Sequence, residues 1–351
     1  MAWYGKKSVD NDVVLSSRVR LARNVEGYPF GRHLTDDRAR ELIGKIGAIL
    51  TPSGYEAVDF TGLDMIGATA YVEEHIVSPE FAGEKGPHTL FKNDKKNVYI
   101  MTCEEDHLRI QCITPGFSLD EAYAGAIEAE SLLDSSLNLA FNEKLGYLTH
   151  CPTNLGTGMR ASVMMFLPAI TKFGKFSSIA RQLSKIGLTV RGSYGEGSGS
   201  TGCLYQISNQ VTLGVSEEES IEKLKNIVAS IVDQERKLRD AMTNDDVWNS
   251  VADASARAYG TLTYARMLSF SEFMKLWCDV RLGIALDNAR KMNGQPGGTG
   301  IPSSLSYETL DTLFIESQPA VLTLLSGGTP MSPAERDLRR ADAIKRRLAV
   351  V

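Results

Sequence analysis

The chain has 351 residues, of which 43% are hydrophobic and 23% charged, and its formal net charge is −5. That length and balance suit a soluble globular protein with a sizeable core and room for two domains, and the acidic charge excludes a surface built wholly for coating nucleic acid. No window holds enough consecutive apolar residues to cross a bilayer, and no apolar stretch follows the basic N-terminus to make a signal peptide. The five cysteines, Cys103, Cys112, Cys151, Cys203 and Cys278, are odd in number and form no CxxC pair. They argue for a reduced, cytoplasmic setting and against a zinc site.

In chain order, Asp12 to Asn24 alternates arginine with apolar residues, which places Arg18 and Arg20 on one face of a strand. Two guanidinium groups on one face repel unless an anion sits between them; the alternative is a solvated strand face. Thr35 to Leu50 reads as an amphipathic helix with Leu42, Ile43, Ile46 and Ile49 on one side. His75 follows as a lone histidine. Asn97 to Ile113 reads as a strand, an acidic knot at Glu104-Glu105-Asp106, and a second strand. Three adjacent carboxylates are expensive to bury unless one faces a cation. Leu119 to Leu145 reads as one long helix.

Cys151-Pro152-Thr153-Asn154-Leu155-Gly156-Thr157-Gly158-Met159-Arg160 is a bent loop forced by one proline and two glycines. Its glycines would let backbone N–H groups approach a ligand, and Arg160 adds a permanent cation, so the chemistry points to an anion site. A tight turn followed by a surface arginine is the plainer alternative. Phe173 to Leu188 reads as a helix. Gly197 to Gly202 satisfies GxGxxG, but it runs into the strand-like Leu204 to Ser208 rather than a helix, so it is no dinucleotide fingerprint. It reads instead as a glycine-rich hairpin that closes over a substrate, with Arg191 on the phosphates and Glu196 facing an acceptor.

Ser216-Glu217-Glu218-Glu219 is a capping box that opens a helix running to about Met242. Strand signals stop at Thr243-Asn244-Asp245-Asp246. Trp248 to Ala258, Ser271 to Asn288 and Ser306 to Leu325 read as helices. In the tail, Ser332, Pro333 and Glu335 start a last helix, on which Arg336 and Arg340 share a face with Asp337 beside them. A basic C-terminal helix or a nucleic-acid patch is the alternative to a pocket for a phosphorylated guanidine.

The run from Cys151 to Arg160 closely resembles the signature of the guanidino (phosphagen) kinases, the family of creatine and arginine kinases. Ser16-Ser17-Arg18-Val19-Arg20 resembles the family's Ser-x-Arg-x-Arg phosphate-binding segment. Glu104-Glu105-Asp106-His107-Leu108-Arg109 resembles the segment whose carboxylate grips and deprotonates the guanidinium, with Cys103 where the family usually has asparagine. The resemblance implies an α+β catalytic domain, an antiparallel sheet flanked by helices, over residues 1–243. A smaller all-helical C-terminal domain would occupy 244–351. It implies Glu105 and Glu196 as catalytic residues. It implies ATP held by Ser16, Ser17, Arg18, Val19, Arg20, His75, Arg109, Arg160, Ala161, Ser162, Val163, Met164, Arg191, Gly192, Ser193, Tyr194, Gly195 and Glu196, with Mg²⁺ carried on the nucleotide and no metal ligands from the chain. Cys151 matches a thiol that is reactive in related enzymes, and a tuning role is expected of it.

Arg336-Asp337-x-x-Arg340-Ala341 resembles the phosphoarginine-binding motif of the bacterial protein-arginine kinase branch. Two further features favour that branch. Only fifteen residues precede Ser16, where creatine and arginine kinases carry a helical domain, and Val211-Thr212 stands where they have Asp-Arg. The branch implies phosphorylation of arginine side chains in proteins, with protein substrates, an activator protein, a Clp-type degradation machine, a homodimer, a stress-response and allosteric role, a cytoplasmic location and no membrane. A small-molecule guanidino kinase would share the arginines and Glu105; a non-catalytic phosphoarginine- or DNA-binding regulator would use only the tail.

Overall fold

A computed structural model describes residues 3–192 and 201–349 of the chain. Strand β1 (Val14–Arg23) leads through helix α1 (Asp36–Leu50) to β2 (Glu56–Asp59), α2 (Met65–Glu73) and the short α3 (Pro79–Ala82). Strands β3 (Thr89–Asn93), β4 (Val98–Thr102) and β5 (Leu108–Pro115) follow, then α4 (Leu119–Asp134) and a small hairpin of β6 (Phe141–Asn142) and β7 (Gly146–Tyr147). Next come β8 (Met159–Phe166), α5 (Pro168–Lys172), α6 (Phe176–Lys185), β9 (Leu188–Gly192) and β10 (Leu204–Asn209). The rest is helical: α7 (Glu217–Met242), α8 (Asp245–Tyr264), α9 (Phe270–Met292), α10 (Tyr307–Glu316), α11 (Pro319–Leu325) and α12 (Pro333–Leu348).

Eight strands form one antiparallel sheet in the order β2-β3-β4-β5-β1-β8-β10-β9, with β1 near its centre. The fold is α+β: an antiparallel sheet flanked by helices, followed by a helical C-terminal part. Period-two alternation sorts β1 cleanly. Val19 and Leu21 face an apolar core shared with Leu42 and Ile46 of α1, Ala126 and Leu133 of α4, and Leu224, Val228 and Ile231 of α7. Arg18 and Arg20 face the other way. A second core, built on Tyr99, Met101, Met164 and Phe166 of that opposite face, continues into Trp277, Leu282, Phe314 and Ile344 of the C-terminal helices. The helical part therefore covers one end of the sheet's second face and leaves the arginines beside it open.

Both capping boxes read in the sequence are formed, at Ser216 and Ser332. Three helices depart from expectation. The helix from Leu119 stops at Asp134 rather than Leu145; Ser135 Oγ donates back to Leu132 O at 2.8 Å, and the chain then leaves to pair beyond the end of β1, where Ala140 N donates to Asn24 O at 2.7 Å. The helix expected over Phe173 to Leu188 is shorter, Phe176–Lys185, set between Gly174 (φ +66°) and Gly187 (φ +76°), and Leu188 already begins β9. Ser306 to Leu325 is likewise broken, since Pro319 has no N–H to continue α10 and instead opens α11. In the other direction, α8 and α9 are longer than their apolar patterns suggest. No helix among the described residues is long and apolar enough to cross a membrane.

Trp277 joins the layers. Its ring lies edge-on to Phe166 with centroids 5.4 Å apart, and its indole N–H donates to Leu310 O at 2.8 Å. Trp277→Ala removes both contacts from a fully buried position and is expected to cost ~3–5 kcal/mol in denaturant unfolding. A loss below about 1 kcal/mol would mean the second core does not depend on this ring.

Candidate active site

Strand register concentrates positive charge at the middle of the sheet. Arg20 of β1 stands directly opposite Arg160 of β8, and Arg18 opposite Ser162. On the other side Ala22 pairs with Arg109 of β5. Like charges opposite one another in a sheet destabilise it, and here the strain is visible in the ionisation of the side chains. Burial, then Arg160 and Arg109, lowers the Arg18 pKa to about 10. Burial, then Arg18, Arg109 and Arg160, pulls Arg20 well below its ordinary value. The Nε of Arg18 is buried with no hydrogen-bond partner among the described residues. A cluster of this charge attracts an anion.

The signature loop delivers Arg160 to this cluster, but its glycines act differently from the sequence expectation. A Cβ on Gly156 (φ +104°) would lie 2.2 Å from Thr212 O, and one on Gly158 (φ +57°) would lie 2.7 Å from Ala22 O. The missing side chains let the loop pack against the chain's own backbone, where Thr157 N donates to Thr212 O at 2.9 Å. Arg23, on the apolar side of β1, ties down the same loop by donating to Thr157 O at 2.9 Å.

Acidic groups gather at the opposite pole. Arg109 donates to Glu104 at 2.9 Å and to Glu105 at 3.3 Å. Glu104 is nearly buried, and burial raises its pKa against the pull of Arg109, whereas the Glu105 side chain is 36% exposed into the cavity. The turn that carries them is pinned from β1. Asn24 Nδ2 donates to Asp106 at 2.6 Å, and Asn24 Oδ1 accepts from His107 N at 2.9 Å. Asp106 also accepts from His150 N at 2.7 Å, so one carboxylate sets both this turn and the entry to the signature loop. Cys103, in the place of the family asparagine, has φ +60°, a left-handed position that asparagine tolerates well; burial pushes its thiol up to about 12.

Two cavities meet at the arginines. One, of about 610 Å³, is lined by Glu104, Glu105, Arg109, His150, Cys151 and Asn154, with Glu80 and Glu84 on its rim. The other, of about 760 Å³, is lined by Arg18, His75, Gln111, Gln206, Gly192 and, from the helical part, Phe270, Ser271, Gln318 and Pro319. Arg20, Arg160 and Arg191 line both. Arg160 Nη2 donates to Ser208 Oγ at 3.0 Å, which fixes its direction.

Not every residue anticipated as nucleotide-binding turns its side chain to these cavities. Val19, Ala161 and Val163 belong to the opposite apolar core. Ser17 Oγ donates to Gly116 O, Ser162 Oγ accepts from Gln206, and Met164 packs in the second core; Ser16 is buried in β1. Ser193, Tyr194, Gly195 and Glu196 lie outside the described residues. Glu80, Glu104 and the Phe270 and Pro319 positions were missed: Glu104 had a signal, its place in the acidic knot, while the others are brought in by tertiary packing alone.

The tail motif sits behind the wall of the larger cavity. Arg340 is 1% exposed. It donates to Ser317 O at 2.9 Å, to Leu268 O at 2.7 Å and to Asp337 at 2.7 Å. Ala341 is buried, while Arg336 and Asp337 are half-buried; Arg336 donates to Met331 O at 2.7 Å. Glu73, which lines the cavity, accepts from Ala320 N and Val321 N at the start of α11.

His75 has φ +61° and a buried Nε2 without a partner among the described residues. Burial, reinforced by Arg18, lowers its pKa to about 4. It is therefore neutral at pH 7, and its ring-proton NMR shifts should stay flat from pH 8 to about 5.5 and move only below that. A midpoint near the ordinary ~6.5 would contradict the combined effect of burial and Arg18 on this ring.

Comparison with known proteins agrees with this geometry. Residues 46–238 match the family model of the ATP:guanido phosphotransferase C-terminal catalytic domain, and residues 248–351 match that of the protein-arginine kinase McsB C-terminal domain. A protein-arginine kinase of Caldanaerobacter subterraneus subsp. tengcongensis is 42% identical over 97% of this chain and 98% of its own length. One from Desulforamulus reducens is 40% identical over 99% and 95%. Among solved structures, the duplicated taurocyamine kinase of Schistosoma mansoni superposes with a TM-score of 0.57 at 30% identity, over 66% of this chain and 34% of that one. A lombricine kinase does so with a TM-score of 0.57 at 26% identity, over 70% and 72%. The chain belongs to the ATP:guanido phosphotransferase family, within its protein-arginine kinases.

Proposed function

We propose that this chain transfers the γ-phosphoryl group of ATP to arginine side chains of proteins. The observation that carries this reading is the pair of cavities sharing Arg20, Arg160 and Arg191, with Glu104 and Glu105 lining the smaller cavity and not the larger. A nucleotide in the larger cavity would place its phosphates against Arg18, Arg20, Arg160 and Arg191, near His75. Mg²⁺ would arrive on the nucleotide as part of the substrate. The acceptor guanidinium would enter the smaller cavity.

Arginine has a pKa of ~13.8, so its free guanidine is scarce at neutral pH. Glu105 would orient the guanidinium and take a proton from the attacking nitrogen as the N–P bond forms and the bond to the β-phosphate oxygen breaks. Glu196, outside the described residues, would anchor the guanidinium's other edge. Arg20, Arg109, Arg160 and Arg191 would neutralise charge on the equatorial oxygens of the moving phosphoryl group. Glu104 would hold Arg109 in place, and Cys151, beside the acceptor, would tune the site without taking part in bond-making.

We read residues 1–243 as the catalytic domain and 244–351 as a helical domain carrying a phosphoarginine site at Arg336, Asp337, Arg340 and Ala341. Because Asp337 is bonded to Arg340, a phosphoarginine would recruit Arg336 first and exchange with the Asp337–Arg340 pair. Substrate marking for a Clp-type degradation machine under stress, a separate activator protein, a homodimer and a cytoplasmic location belong to the same reading and rest on family membership.

Glu105→Gln should lower phosphoryl transfer ~10²–10⁴-fold while ATP affinity stays nearly unchanged, measured by turnover and calorimetry on the same preparation. Retention of more than about a tenth of the rate would remove Glu105 from the role of base. For the tail, calorimetry should find phosphoarginine bound well above free arginine or phosphoserine, and lost in Asp337→Ala with Arg340→Ala. Equal binding by both proteins would return α12 to a structural helix.

A further inference from the structure

Away from the cavities, the sheet and the helical layer meet at two thiols. Cys203 closes the turn Thr201–Cys203 that leads into β10, and Cys278 lies in the middle of α9. Their Sγ atoms are 3.3 Å apart. A disulfide bond is ~2.05 Å long, so bonding requires a small approach rather than a rearrangement of the backbone.

The turn is held at this place by its own packing. Gly202 has φ +71°, and a Cβ there would lie 2.7 Å from Met274 Cε on α9. Cys203 O accepts from Leu167 N at 2.9 Å, which fixes the other side of the turn to the end of β8. Cys278 is 7% exposed, while Cys203 is partly open to solvent. All five cysteines are free thiols.

The two thiols also differ in character. The Cys278 S–H donates to Cys203 Sγ, and this bond, helped by Lys172, lowers the Cys203 pKa. The same bond and burial raise that of Cys278. One sulfur is thereby biased toward the nucleophilic thiolate and reachable from solvent, and the other is a protonated, sheltered resolving thiol.

We infer that Cys203 and Cys278 form an oxidisable pair that a hydroperoxide converts into an intrachain disulfide, fastening β10 to α9. The Cys203 thiolate attacks one peroxide oxygen; the O–O bond breaks, the leaving hydroxide is protonated to water, and Cys203 becomes a sulfenic acid. Cys278 Sγ then attacks the Cys203 sulfur, the S–O bond breaks, and the departing hydroxide takes the Cys278 proton and leaves as water. Two thiols lose two electrons, and one peroxide becomes two waters. The cross-link spans 75 positions and so removes much freedom from the unfolded chain. It is a reversible modification, undone by a dithiol.

The test uses the full-length protein, reduced and then treated with one equivalent of hydrogen peroxide. After alkylation of free thiols, peptide mass spectrometry should find Cys203 and Cys278 joined, with dithiothreitol restoring both. The melting temperature should rise by roughly 5 °C on oxidation. In Cys278→Ser, Cys203 should stop at the sulfenic acid and be captured by dimedone, with no rise in melting temperature. Alkylatable thiols at both positions after treatment would overturn the inference. So would equal dimedone capture at Cys203 in the wild type and in Cys278→Ser, since that would show that Cys278 does not resolve the oxidised sulfur.

Discussion

The mutual repulsion of arginines at the centre of the sheet is the constraint on which the rest of the structure depends. Arg20 and Arg160 face each other across β1 and β8, and burial together with the neighbouring arginine charges lowers the pKa of Arg18 and Arg20. No local preference favours such an arrangement, and the strands that carry it are held from elsewhere. On one side Val19 and Leu21 of β1, with Ala161 and Val163 of β8, are locked into the core under α1, α4 and α7. On the other, Phe166 and the C-terminal helices clamp the end of the same strands. The unfavourable charge cluster is thus stabilised by apolar burial on both flanks.

The acid pole follows from the same economy of parts. Arg109 belongs to the cluster, yet it also bonds Glu104 and Glu105, so it links the arginines to the carboxylates. Asn24, directly after β1, positions Asp106 and His107, and Asp106 holds His150 at the mouth of the signature loop. One short strand therefore places the arginines, the acidic turn and the loop. The helical part adds Phe270 and Pro319 to the larger cavity and Arg340 behind it, which puts the tail motif in bonded contact with residues flanking that cavity.

Much of this was legible in the residues themselves. Alternation in β1, the strand–acidic turn–strand of β4 and β5, and the capping boxes at Ser216 and Ser332 are local patterns, and local patterns survive into the fold. What escaped was set by distant contacts. Gly156 and Gly158 carry the same φ requirement whether they approach a ligand or their own backbone, and only the position of Thr212 and Ala22 decides between the two. Arg340 reads in the pattern of α12 as a cation for a phosphorylated guanidine, or else as part of a basic surface, and its burial against the carbonyls of Ser317 and Leu268 is set by distant packing. Pro319 was visible as a breaker, and apolar periodicity on both sides masked the break between α10 and α11.

The central claim is that the shared arginine wall moves a phosphoryl group onto an arginine held within a protein. It is tested most directly by incubating the enzyme with ATP, Mg²⁺ and either an unfolded arginine-containing protein or free arginine, and recording phosphorus-31 spectra. The account predicts an acid-labile N–P signal on the protein and little on free arginine. A signal on free arginine with none on the protein would contradict it and mark the chain as a small-molecule guanidino kinase.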